Sequence, residues 1–356
     1  MNIRLSAQAL HSAALFELHQ GNLASALENL EALQACARVY ADEPSLVIYM
    51  IRVAVMGLAT NACWDALQDP RWIEPQLARL QQACQSGVRF AQIPQVMAAE
   101  RLTRVHQLEW FAAHSSQALV DRCAPIYKSF GGLSAELNTA NLRGQWRRRV
   151  FHPAWSYAWR AQEELDHLQY SQRELAVLRE AVARGSWADL KKHQAALRDG
   201  YRLPPALWRF YLSIPLLEFA STIVGSPTPA VPVCPYPNFS RAWRVTARNL
   251  TQHELMTTVL ALQRHRLRHG QVPATLAALV PEYLSAVPHD LMEGQPLRYR
   301  LNADNSFILY SVGEDAHDDG GDSRPSDADL TRSPNDPWRG RDWVWPQAAI
   351  PSNSPE

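Results

Sequence analysis

Leu255-Met-Thr-Thr-Val-Leu-Ala-Leu-Gln-Arg-His-Arg-Leu-Arg-His-Gly-Gln-Val-Pro273 is the stretch on which the fold turns. Its apolar residues recur at helical spacing, and it ends on Gly270, which suits the left-handed position after a helix. Pro273 then forbids continuation. Upstream, the helix can begin at Ser240 as its N-cap and run to His269. Downstream, residues 274–279 read as a short helical turn. Leu297-Arg-Tyr-Arg-Leu301 and Phe307-Ile-Leu-Tyr-Ser311 read as strands by their aromatic and β-branched content, with Asn302-Ala-Asp-Asn305 as the hairpin turn. Asp342-Trp-Val-Trp345 reads as a third, edge strand, and the tail 346–356 as disordered.

An acidic, glycine-bearing segment follows the second strand. Glu314, Asp315, Asp318, Asp319, Asp322, Asp327 and Asp329 lie close together beside Gly313, Gly320 and Gly321. Calcium takes about six to eight hard oxygen ligands, and carboxylates on a turning backbone supply them. Unneutralised, these charges repel, and the segment has few apolar anchors. The other reading is a solvated acidic loop. An EF-hand does not fit: Asp315, Asp319 and Gly320 take the first, fifth and sixth places, but His317 stands third and Ser326 stands where a bidentate Glu is needed.

The order helix, connector, two strands and oxygen-rich loop resembles the globular end of the major pseudopilins of type II secretion systems. Those proteins carry Leu-Gly-Ala-Asp, a double glycine and an Asp-Ala-Asp-Ile-like segment after a strand. Here the matching residues are Val312-Gly313-Glu314-Asp315, Gly320-Gly321 and Asp327-Ala328-Asp329-Leu330. Upstream, Leu262 through Gly270 and Val272-Pro273 match as well. The resemblance covers about the last hundred residues. It implies one structural calcium, with Asp315, Asp327 and Asp329 giving side-chain oxygens, Val312 a carbonyl, and Asp322 a substitute. Two departures stand out. The family's Asp-Pro-Trp-Gly turn is here Asp290-Leu291-Met292-Glu293-Gly294. No prepilin cleavage site with a following apolar helix is seen at the N-terminus. The C-terminal unit therefore reads as fused behind a helical domain, as in some uncharacterised bacterial envelope proteins whose chains begin with a membrane-spanning helix. On that likeness Met1 would be internal to a longer gene.

Residues 1–220 are dominated by helical periodicity and good helix formers. Leu15, Leu18, Leu23, Leu27, Leu30 and Leu33 recur around a Gly21-Asn22 corner. This stretch resembles one tetratricopeptide unit, with Leu23, Ala26, Leu27 and Leu30 on the packing face. A second, poorer corner lies at residues 184–190, and no regular period joins the two. Residues 225–239 carry Pro227, Pro229, Pro232, Pro235 and Pro237, which favour an extended linker. The expected fold is mainly α: an N-terminal helical bundle or solenoid (1–224), the proline-rich linker (225–239), and a small pseudopilin-like α+β domain (240–345).

Lys+Arg and Asp+Glu both number 35, a balance that argues against a coat for nucleic acid or an anionic membrane. Arg147-Arg148-Arg149 reads as a solvated turn. Cys36, Cys63, Cys84, Cys123 and Cys234 show no metal or disulfide framework, and most read as buried small hydrophobes. No signal peptide is visible. The apolar run from Leu46 to Ala59 is interrupted by Arg52 and is short for a bilayer span, so the chain as written reads as soluble.

His265 and His269 share a helix face at zinc-ligand spacing, with only His253 as a remote third; the plainer reading is polar residues near a helix C-terminus. Glu164-x-x-His167 is half of a di-iron motif without its second half. Cys234 has no base placed near it. No nucleophile elbow, P-loop or dinucleotide fingerprint appears. The tryptophans of the helical half, Trp64, Trp72, Trp110 and Trp187 among them, read as core anchors.

These readings lead to a non-enzymatic scaffold or interaction protein with a structural calcium loop and protein partners from secretion or pilus-like machinery. Nucleic acid and membrane insertion are not expected of the chain as written. The setting is the cell envelope or periplasm if an anchor lies upstream, and the cytoplasm otherwise. The alternatives are a cytoplasmic helical-repeat adaptor without metal, and an enzyme with an unrecognised site in the helical half.

Overall fold

A computed structural model describes residues 3–85, 87–113, 157–158, 160–199, 239–324 and 341–345. Two compact units make up the chain: Met1–Val96 with Val177–Gln194 and Phe239–Glu356, and Met97–Ala176 with Ala195–Asn238. The described part is mainly helical, with a small antiparallel sheet near the C-terminus. The proline-rich segment 225–238, the tail 346–356, Asp327, Asp329, Cys123, Cys234 and Arg147 to Arg149 lie outside the described residues.

In the first unit, α1 (Ile3–His19) and α2 (Leu23–Cys36) meet at the expected corner. Gly21 adopts φ 75°, and the Asn22 side chain caps α2 by accepting from the Ser25 N–H. Of the expected packing face, Ala26, Leu27 and Leu30 are buried and Leu23 is half-buried.

α3 (Leu46–Ala66) is the central helix, longer than the apolar run read from sequence. By length and composition alone it would suit a bilayer span. Here its faces are covered by α1, α2 and a later long helix. Arg52, fully buried within it, donates to the carbonyls of Ala37, Ala41 and Gly87. One guanidinium thus satisfies carbonyls from two loops that a helix ladder cannot reach.

α4 (Glu74–Ala83) follows, with α5 (Ile93–Ala113), α6 (Arg160–Arg184) and α7 (Trp187–Asp199). The 30-residue α8 (Ser240–His269) begins with Ser240 inside the helix and Phe239 at the cap position, and it ends as the sequence predicts on Gly270 at φ 76°. α8 packs on both α3 and α4. Trp243 stacks edge-on against Tyr49 at 6.5 Å, and Gly57 of α3 leaves the space that the Asn249 side chain occupies. The N-terminal helices and the C-terminal helix therefore share one hydrophobic core.

At the centre of that seam lies His253, 6% exposed. Its Nε2–H donates to the Cys84 carbonyl at 2.8 Å, which leaves Nδ1 to accept from the Thr60 hydroxyl at 3.1 Å. Gln252 donates to Asn61 at 2.6 Å, Gln263 to the Leu67 carbonyl at 3.0 Å, and Arg264 to Glu74 and Gln81.

Beyond α8, β1 (His289–Asp290) pairs with β2 (Gln295–Pro296), and β3 (Arg298–Leu301), β4 (Phe307–Ser311) and β5 (Trp343–Trp345) form an antiparallel sheet in that order. The register sets Tyr299 opposite Leu309 and Leu309 opposite Trp345. Trp64 of α3 packs edge-on against Trp345 at 4.2 Å and Trp343 at 6.2 Å, so the edge strand is anchored on the central helix.

Burial pushes His253 down to about 4, against the pull of its bond to the Cys84 carbonyl. A histidine held neutral in the fold but protonated near pH 6.5 when unfolded stabilises the protein fully above that pH. The contribution is lost as pH falls toward 4, and the whole swing is roughly 3 kcal/mol. Urea unfolding of wild type and His253→Gln at pH 7, 5 and 4 checks this: the wild type should lose stability relative to the variant as the pH drops. A constant difference between them would overturn the assignment.

Candidate functional site

The strongest candidate is the loop that leaves β4, together with the turn that faces it. Asp290 ends β1 and is fully buried. One carboxylate oxygen accepts from the Met292 N–H and from the Ser311 hydroxyl, both at 2.9 Å. The other accepts from the Val312 N–H at 2.9 Å. Burial nonetheless raises its pKa, with these three bonds working the other way. A single carboxylate thus ties the turn 290–294 to the end of β4, where the acidic loop starts.

Gly294 closes that turn at φ 84°, and a β-carbon there would meet the Arg184 carbonyl at 2.9 Å. The central residues of the turn also have a task. The carbonyls of Leu291 and Met292 accept from the N–H groups of Trp187 (2.7 Å) and Ala188 (3.0 Å), the first residues of α7. Helix N-termini carry N–H groups with no partner in their own helix, and this turn satisfies two of them. Where the pseudopilin pattern has Pro and Trp, this chain has a docking point for a helix.

Along the loop itself, Glu314, Asp318 and Asp322 each meet an arginine. Glu314 pairs with Arg248 of α8, and Arg244 lies 4.0 Å away. Asp318 binds Arg298 at 3.0 Å and accepts from the Tyr310 hydroxyl at 2.9 Å, and the arginine holds its pKa down. Asp319 lies 3.4 Å from His317. Asp322 is clasped by Arg324 at 2.8 Å, which lowers its pKa to about 2, and Arg341 reaches it at 3.5 Å. Asp315 accepts from the His317 N–H at 3.1 Å.

Asp342, 3% exposed, gathers the neck of the loop. Its carboxylate accepts from the N–H groups of Gly321 (2.7 Å), Asp322 (3.2 Å) and Asp319 (3.5 Å). Burial lifts its pKa to about 6 despite those donors. Main-chain bonds from Asp342 to Asp322 and from Arg341 to Arg324 close the neck. Gly321 packs against Ile308 and Tyr310, an apolar anchor the sequence does not reveal.

Of the five expected calcium donors, Val312, Asp315 and Asp322 are described, while Asp327 and Asp329 are not. The described donors fit a calcium ion in part. Asp315 has no cationic partner among the described residues, whereas Asp322 would have to release two arginines. No group of three or more His, Cys, Asp or Glu among the described residues forms a ready metal site. The repulsion expected of a run of carboxylates is met here by guanidinium groups and backbone N–H donors.

The other candidates resolve as follows. His265 and His269 stack at 4.4 Å, with His265 bonded to the Gln271 carbonyl and Tyr283 beside both, while His253 lies in the core seam. His167 sits buried on α6 beside Ser171, with Nε2 and Oγ 3.3 Å apart. Burial, then the charges of Arg104 and Arg101, lowers its pKa to about 4, and burial raises that of nearby Glu174 to about 7. Sequence reading missed Asp290 as an anchor and Asp342 as the organiser of the neck. The Asp of the divergent Asp-Pro-Trp-Gly-like turn was the available signal for the first.

Comparisons with protein-family models, with curated proteins and with solved structures gave no match to this chain.

Replacing Asp290 leaves the N–H groups of Met292 and Val312 and the Ser311 hydroxyl without their acceptor. Buried donors left unpaired cost about 1–3 kcal/mol each. Asp290→Ala should lower the unfolding free energy by about 3 kcal/mol or more in chemical denaturation. Asp290→Asn, which keeps one accepting oxygen, should lose about half as much. Equal stabilities for all three proteins would remove Asp290 from its role.

Proposed function

We propose that this chain is a non-enzymatic scaffold or interaction protein of the bacterial envelope, related to type II secretion or pilus-like machinery. Its C-terminal part is the pseudopilin-like module, and its N-terminal helices, loosely tetratricopeptide-like, brace that module's long helix. The partners are protein components of such machinery. The supporting observation is the Asp290 bond set: it joins the turn after the long helix to the start of an acidic loop that is inserted between the second and third strands of an antiparallel sheet.

The reading carries with it one structural calcium on residues 312–330. Asp315 and the main chain at Val312 are the described donors suited to it, with Asp327 and Asp329 completing the set by resemblance. Bound calcium would neutralise carboxylates and add folding free energy, about 2.7 kcal/mol at a hundred times its Kd. Thermal unfolding of the whole protein in calcium and in chelator tests this, beside Asp315→Ala. The expected result is a higher midpoint in calcium that the variant lacks. Equal midpoints would mean that arginines alone supply the counter-charge, and calcium would be dropped. The envelope assignment is tested separately, by fractionating cells that express the native gene; recovery from the cytosol alone would overturn it.

One observation favours the enzyme reading: His167, Ser171 and Glu174 lie buried along one face of α6. A fluorophosphonate probe that labels Ser171, with labelling lost in His167→Ala, would support a nucleophile there. An unlabelled Ser171 leaves the three as core polar residues, the role their mid-helix backbone suits, since its N–H groups are already bonded and offer no oxyanion site.

A further inference from the structure

Cys63 lies on α3, and Cys84 sits at the C-terminal cap of α4. Their sulfurs are 4.0 Å apart in the core of the first unit, and both residues are buried. Gln34 of α2, itself buried, donates its amide N–H to both sulfurs, at 3.4 Å to Cys63 and 3.3 Å to Cys84. Cys36, also on α2, is only half-buried.

Two thiols at this distance touch without bonding. A disulfide brings the sulfurs to about 2.05 Å and holds the β-carbons within roughly 4.5 Å. From 4.0 Å the sulfurs must approach by about 2 Å, a displacement of the size that rotation about the two Cα–Cβ bonds can supply. The amide that faces both sulfurs accommodates either state, because thiol and disulfide sulfur each accept weakly. Such a bond would staple the last turn of α4 to α3, next to the carbonyl of Cys84 that His253 grips.

We infer that Cys63 and Cys84 are a disulfide-forming pair, joined when the chain folds beside a small-molecule or protein disulfide and left as thiols when it folds in a reducing medium. The thiolate of one cysteine attacks the incoming disulfide, forming a mixed disulfide and releasing one thiolate of the oxidant. The thiolate of the second cysteine attacks the cysteine sulfur of that mixed disulfide and expels the other half. In sum, the two cysteines lose two protons and two electrons, and the oxidant becomes two thiols. In the finished fold, contact with Cys63 and burial hold the Cys84 thiol well above its usual pKa, and no oxidant reaches either sulfur. Exchange therefore belongs to folding, before α2 and Gln34 close over the pair.

The inference goes beyond the scaffold reading and is tested without it. The whole protein is refolded from denaturant in an oxidising glutathione couple and, in parallel, with excess dithiothreitol. Both samples are trapped with N-ethylmaleimide in acid and denaturant, digested and mapped by mass spectrometry. The expected result is a peptide pair joined through Cys63 and Cys84 in the oxidised sample alone, in a chain whose tryptophan fluorescence matches the reduced one. Cys63 and Cys84 both alkylated after oxidising refolding would overturn the inference. So would either of them joined to Cys36, Cys123 or Cys234, or a joined chain with altered fluorescence. The outcome does not depend on where the protein resides, so it stands or falls apart from the envelope reading.

Discussion

The seam between α3 and α8 is the constraint on which the rest depends. A 30-residue helix with a broad apolar face cannot stand alone in water, and α8 buries Trp243, Ala247, Leu255, Met256 and Val259 along with its polar threonines. Each large apolar side chain so buried contributes about 1.5–3 kcal/mol. The face is not purely apolar, however. His253, Gln252 and Gln263 each meet a fixed acceptor or donor across the seam, and Arg264 meets Glu74 and Gln81 on α4. Apolar burial would tolerate some sliding of one helix along the other. Side chains with set partners would not, because a slip by one turn leaves buried His253 and Thr60 without each other. Once α8 is fixed in register, its exit at Gly270 is fixed, and so is the place where the sheet begins.

The acidic loop shows how a run of carboxylates can be ordered by the protein's own groups. Glu314 reaches back to Arg248 on α8, Asp318 to Arg298 on β3, and Asp322 to Arg324 and Arg341. The exposed pairs among these contribute little individually. The stronger elements are Asp290 and Asp342, both buried and both accepting from backbone N–H groups that would otherwise be unpaired. Each carboxylate fixes one end of the loop: Asp290 where the chain leaves β4, Asp342 where it enters β5. The pKa of each is raised by burial yet held back by its donors.

Much of the local structure was legible in the sequence. Gly270 and Pro273 mark the end of α8, Gly21 and Asn22 mark the first corner, and the aromatic and β-branched content of 297–301 and 307–311 around the turn 302–305 marks the hairpin, because each is decided by neighbours in the chain. The shared core was not legible. Nothing in residues 46–66 says that Gly57 will face Asn249, or that Trp64 will meet Trp345, since those pairings join positions some two to three hundred residues apart. The loop was half legible: its carboxylates and glycines are visible as a cluster, but apart from Arg324 their described arginine partners come from α8, β3 and the far side of the neck. Repulsion among carboxylates is a sound inference from composition only when the counter-charges are local.

Arg52 bears on how α3 is to be understood. A helix that is apolar on nearly every side belongs either in a bilayer or at the centre of a protein core, and composition does not separate the two. In lipid, a mid-helix arginine has carbonyls or water to find, and its own helix offers none. Here the guanidinium meets the carbonyls of Ala37 and Ala41, just past α2, and that of Gly87, ahead of α5. Those carbonyls lie beyond helix ends, where the backbone lacks its usual partners. The charge and the unpaired carbonyls thus answer one another's need. The apolar residues on the covered faces of α3 are then explained by α1, α2 and α8 packed against them, and the single arginine by the loops that the neighbouring helices leave between them.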